Sequence, residues 1–218
     1  KKMKKNMYSL ILAEDVINAI DKLAEEENTS RSNLINEILA EYVSVTTPEK
    51  RINDIFHGIE DLFKQLTGQQ VYYQQHDNTL SIKSALEYRY RPTIRYEVEL
   101  YRAQSGTVGE LKVNFRTQSP QLLNRLTEFF ALWTRLEELY VARYFEGAEI
   151  NYTLDETRWT RTLKVPRNTL YGQVELSRAI TDYVRTFDRL MKKRLSGAAA
   201  TEIENDYLDA LNGGMLII

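Results

Sequence analysis

Apolar and polar positions along this chain follow two periods, and the places where the period switches divide it into elements. Tyr8, Leu10 and Leu12 fall on one side of an alternating run and Met7, Ser9 and Ile11 on the other, which predicts a strand over 7–12. Val16, Ile17, Ile20, Leu23 and Ala24 then recur at helical spacing, as do Leu34, Ile35, Ile38, Leu39 and Tyr42, with Asn28-Thr29-Ser30-Arg31-Ser32 between the two sets. One strand and two short amphipathic helices are too little chain to bury their own apolar faces. A second copy is expected to supply the other half of that core.

Pro48 opens the next element, at a position where a helix tolerates proline, and residues 48–67 read as one helix. Its stripe of Ile52, Ile55, Phe56, Ile59, Leu62, Phe63 and Leu66 is spaced close to a heptad. Such a stripe can pair with its copy across a dimer axis or pack on the chain's own C-terminal domain. From Gln70 the period becomes two: Leu80, Ile82, Leu86, Tyr88 and Tyr90, then after Pro92 Ile94, Tyr96, Val98 and Leu100, then Leu111, Val113 and Phe115. These describe an antiparallel meander with one buried and one charged face.

Ser119-Pro120 is a cap followed by a first-turn proline, and predicts a long helix to about Phe145 with Leu122, Leu123, Leu126, Phe130, Trp133, Leu136 and Tyr140 inward. A hairpin around Asp155-Glu156 over 149–165 and a second long helix over 169–195 follow. In that helix Val174, Leu176, Ile180, Tyr183, Val184, Phe187 and Leu190 form the inward set. Leu111-Lys112-Val113 and Leu163-Lys164-Val165 end the two hairpins in the same way, so the hairpin-helix units are either a degenerate duplication or a convergence on one local solution. After Ser196-Gly197, Ile203, Tyr207, Leu208 and Leu211 predict a short acidic helix stopped by Asn212-Gly213. The apolar ending Met215-Leu216-Ile217-Ile218 either docks on its own domain or partner copy, or engages another protein.

The lysines ahead of the alternating run, the Glu14-Asp15 start of the first helix and the Ser30-Arg31-Ser32-Asn33-Leu34-Ile35 opening of the second give the first fifth of the chain a recognisable order. In that order it resembles the ribbon-helix-helix (CopG-like) family, whose protomers pair their N-terminal strands into an antiparallel ribbon that enters the DNA major groove. The resemblance implies that Met7, Ser9 and Ile11 face base edges. Ser9 alone among them can hydrogen-bond through its side chain, so base reading is expected to be weak. It further implies phosphate contacts by the helix N-terminus at Ser30, Arg31 and Ser32, and by a basic arm that includes Lys4 and Lys5. The plainer alternative is a solubilising terminus on a ribbon that only dimerises.

At 218 residues the chain accommodates this module and one domain of ordinary size. A net charge of −2 and a pI near 5.9 confine any nucleic-acid contact to a local patch. The absence of cysteine removes disulfides, thiolate metal sites and cysteine nucleophiles, and fits a cytoplasmic protein. No run approaches the length of a membrane span.

Catalytic patterns are sparse. His57 and His76 share no ligand spacing, no glycine-rich phosphate loop follows a strand, and Glu137-Glu138 point apart on their helix. Neither enzyme activity, metal nor cofactor is expected. The basic residues of the meander's outer face, Lys83, Arg89, Arg91, Arg95, Lys112 and Arg116, can bind anions, but interleaved Glu87, Glu97 and Glu99 favour a salt-bridged, solvated surface.

The fold expected is therefore α+β: a ribbon-helix-helix dimerisation module over 1–45, a connecting helix over 46–69, an antiparallel sheet with two long helices over 70–197 and a tail over 198–218. The function expected is a dimeric protein that binds double-stranded DNA as a transcriptional regulator, with a C-terminal domain for assembly, an effector or a protein partner. A DNA-organising or plasmid-maintenance protein, and an interaction scaffold that binds no DNA, are the rival readings.

Overall fold

The computed structural model describes residues 7–43, 45–67, 71–74, 78–87, 91–102, 106–145 and 150–218. Lys4 and Lys5, with His76, Tyr88, Arg89 and Tyr90, lie outside the described residues. The chain divides into two compact units, Lys1–Arg51 and Ile52–Ile218.

The first unit holds helices α1 (Glu14–Glu26) and α2 (Arg31–Tyr42). Helix α1 ends in a Schellman turn: Asn28 takes the left-handed conformation at φ 52°, the Thr29 amide donates to the Ala24 carbonyl and the Asn28 amide to that of Glu25. Ser30 then caps α2 by accepting from the Asn33 amide at 3.3 Å. Residues 7–13 form no strand in the single chain. A strand needs an edge to pair with, and the first unit contains no other strand among its described residues.

Helix α3 (Pro48–Thr67) begins with Thr47 accepting from the Lys50 amide at 3.1 Å. From Ile52 onward it belongs to the second unit, and its stripe is resolved in favour of packing on its own domain: Ile52, Ile55, Phe56, Ile59 and Phe63 are buried in that core. The contact with the later helix α5 (Gln173–Leu195) is close at Gly58, where an added Cβ would lie 2.6 Å from the Ser177 hydroxyl. That hydroxyl donates to the Ile55 carbonyl, 2.9 Å away.

Six antiparallel strands, β1 (Val71–Gln74), β2 (Thr79–Ala85), β3 (Thr93–Leu100), β4 (Thr107–Phe115), β5 (Tyr152–Leu154) and β6 (Arg158–Lys164), form one sheet in the order β1-β2-β3-β4-β6-β5. The expected alternation holds. Leu80, Ile82, Ile94, Tyr96, Val98, Leu111, Val113 and Phe115 face inward, and Ser84 shares their phase and is buried with them. On the other face Lys112 pairs with Glu99, and Arg95 approaches Glu97 at 3.8 Å, as the mixed charges there imply. The two hairpin-helix units meet at β4 and β6, where Glu110 lies opposite Thr162.

Helix α4 (Pro120–Tyr140) starts at the expected cap, with Ser119 accepting from the Leu122 amide at 3.3 Å. It stops at Tyr140 instead of running to Phe145, and a 3-10 turn over Ala142–Phe145 follows. There the Arg167 amide donates to the Tyr144 carbonyl, which draws the chain towards the loop after β6. Helix α5 differs from expectation in starting at Gln173 instead of 169 and at Val174, which is 77% exposed. Helix α6 (Ala200–Asn212) is the short acidic helix, with Ile203 and Tyr207 buried. Tail residues Met215–Ile218 dock on the same core, Ile218 being fully covered. No helix among the described residues is long and apolar enough to cross a membrane.

Between sheet and helices lies an aromatic cluster. Phe187 sits 4.9 Å from Trp133 and 5.1 Å from Trp159, centroid to centroid, and Trp159 stacks on Phe130. Burial of this much ring surface gives the second unit a core of its own.

Candidate nucleic-acid interface

In the first unit Ala24 of α1 and Leu34 of α2 are buried. A charged clasp closes the same pair of helices. The Arg31 guanidinium forks onto the Asp21 carboxylate through Nε and Nη2. This hydrogen-bonded pairing holds the Asp21 carboxyl below its ordinary range and raises the Arg31 guanidinium.

Arg31 as a sequence-predicted phosphate contact is thus placed in two parts. Its side chain is engaged by Asp21, whereas its backbone amide and that of Ser32 occupy the first turn of α2, where a helix has no acceptor of its own. Ser30 spends its side-chain oxygen on the cap. Ser32 is exposed. The anion-binding capacity at this terminus therefore resides in the amides and the helix dipole.

Met7, Ser9 and Ile11 are all exposed, Met7 and Ile11 over their whole surface. The face that should be buried is also uncovered: Tyr8 is 80% and Leu10 58% exposed, and Leu12 is half-buried. Val16, Leu23, Ile38, Leu39, Tyr42 and Val43 extend this apolar surface over both helices. Single surface apolar residues need no explanation, but so many on a small unit make a continuous candidate for a covered surface.

Asp21 is the member of the candidate site that sequence reasoning missed. No sequence signal marks it, because the clasp forms only where a left-handed Asn28 reverses the chain and brings the α2 N-terminus back beside the last turns of α1. Among the described residues no group of three or more His, Cys, Asp or Glu is arranged to hold a metal ion.

Comparison with known proteins adds no relative: no protein-family model, no curated protein and no solved structure matches the chain.

Proposed function

We propose that the chain is a ribbon-helix-helix protein that dimerises through residues 7–12, binds double-stranded DNA and regulates transcription in the cytoplasm. The observation that carries this reading is the uncovered apolar face of Tyr8 and Leu10 beside a capped, clasped helix pair. Two such segments paired antiparallel would satisfy each other's backbone groups and turn Tyr8, Leu10 and Leu12 onto the helices of both copies. Met7, Ser9 and Ile11 would then form the groove-facing side. Phosphates would be held by the α2 amides and by Lys4 and Lys5.

Such an interface binds strongly to backbone and reads bases weakly, so its affinity falls steeply with salt and varies little with sequence. Duplex titration of the full chain at about 50 and about 200 mM salt tests this. Binding that weakens at least tenfold between the two, and weakens alike on all duplexes when Lys4 and Lys5 become Ala, is the expected result. No binding to any duplex at the lower salt overturns it.

The engagement of Arg31 by Asp21, together with apolar Met7 and Ile11, favours a second reading in which the ribbon dimerises a scaffold without touching DNA. Ser9→Arg separates the two. On a groove-facing position the new fork changes duplex preference while the dimer persists; on a scaffold it confers no duplex binding.

A further inference from the structure

The exposed face of α5 carries Arg178, Arg185 and Arg189, whose spacings of seven and four residues return to one side of the helix. With Asp182 and Asp188 they line a groove of about 400 Å³. Its other wall is the end of α6 and the turn beyond it, Gly213, Gly214 and Met215. This is the size of a small-molecule site.

The arginines of the groove are under-used, whereas its Asp188 carboxylate is fully engaged. Arg185 is half-buried and, among the described residues, makes no hydrogen bond or ion pair. Arg178 Nε stands 3.6 Å from Asp182, beyond good hydrogen-bonding distance. Arg189 approaches Asp206 at 3.4 Å, but Lys193 Nζ already holds that carboxylate at 2.8 Å. Asp188 is matched on both oxygens, by Tyr96 and by Lys192, each at 2.8 Å. Guanidinium donors are left over, while of the two lining acids Asp188 is satisfied and Asp182 has only the 3.6 Å approach of Arg178.

We infer that this groove binds a phosphorylated small molecule of mononucleotide size. Arg185 and Arg189 fork the phosphate oxygens, a geometry that suits guanidinium better than ammonium. The turn at Gly213-Gly214 has no side chains to obstruct a flat ring, and Met215 offers it a polarisable edge. Arg178, about 10 Å further along the helix, meets the far end of the ligand. A long polyanion fits poorly, because Asp182 lies in the groove and Glu202, Glu204, Asp206 and Asp209 lie along α6. The site belongs to the second unit alone and does not depend on DNA binding by the first.

The test is calorimetric titration of the full chain with adenosine monophosphate and, separately, with inorganic pyrophosphate, circular dichroism confirming the fold of each variant. Binding of both probes is expected, weakened about tenfold or more by Arg185→Gln and by Arg189→Gln. Asp182→Asn should tighten it several-fold by removing the facing carboxylate, an effect that loss of structure cannot mimic. Failure of both probes to bind at about 5 mM overturns the inference, as does equal binding by wild type and Arg185→Gln. Occupation of the arginine face by duplex DNA, with neither small probe bound, overturns it too.

Discussion

Arg161 on β6 and Glu137 on α4 are both fully buried and meet through two contacts, Nε to Oε2 at 3.0 Å and Nη2 to Oε1 at 2.8 Å. Tyr183 donates to the same Oε2 at 2.9 Å and in turn accepts from the Trp133 indole at 2.8 Å. Two further guanidinium protons go to the backbone oxygens of Thr162 and Ile218. The pair thus joins sheet, two helices and tail through one charge pair.

Breaking that pair from one side leaves an uncompensated buried charge. Glu137→Leu is expected to cost about 3–5 kcal/mol of unfolding free energy, measured by denaturant titration. The double variant Glu137→Leu/Arg161→Met should lose clearly less than the sum of the single losses. Additive losses would show that the two side chains do not act as a unit.

High pH should unfold the second unit cooperatively. Burial, and for Tyr96 the adjacent Asp188 carboxylate, pushes Tyr96 and Tyr183 well above the ordinary tyrosine value of 10.0; burial also raises Tyr152 and Tyr207. The folded state keeps protons that the unfolded state releases. Their contribution is therefore complete below pH 10 and is lost as pH climbs past it. Tyrosinate absorbance followed beside circular dichroism should show a block of the 14 tyrosines ionising only as structure disappears. Smooth ionisation of all of them in a folded protein would contradict the burial.

Gly109 permits a close backbone approach between β3 and β4. A Cβ there would lie 2.0 Å from the Glu99 carbonyl oxygen, beside the register shift between Thr107 and Gly109. Gly109→Ala should therefore cost about 1–3 kcal/mol in the same denaturant titration, although alanine is otherwise a mild substitution. Unchanged stability would place β3 and β4 in a different register.

Leu10→Asp should abolish dimers in light scattering if residues 7–12 pair between copies. Both tryptophans, Trp133 and Trp159, lie in the second unit, so its near-ultraviolet signal should survive the change. A variant that remains dimeric refutes the ribbon.

Alternation and caps made most of the second unit legible in advance. Leu80 to Phe115 alternate because one face of the meander is covered, and Ser119-Pro120 announces α4 through a local cap. What stayed hidden was settled by neighbours distant in sequence. Phe129 and Glu137 read as off-stripe residues, yet Phe129 meets Phe187 at 5.2 Å and Glu137 meets Arg161 from another element. Val174 has helical phase but no neighbour to cover it. In the candidate interface the cap at Ser30 was readable for the same local reason as Ser119, and the Arg31–Asp21 clasp was not, since it depends on how tightly the chain reverses at Asn28.

The sheet order has a consequence for synthesis on the ribosome. β4 is paired on one side by β3, its neighbour in the chain, and on the other by β6, which begins about forty residues after β4 ends. At ~5–20 residues per second, the nascent meander presents an open strand edge for about 2–10 s before β6 arrives. An unpaired edge is a template for the wrong strand, including one from a neighbouring nascent chain. Glu110 and Lys112, pointing outward on that edge strand, place charges where such mispairing would begin, and help keep the edge free for its own partner.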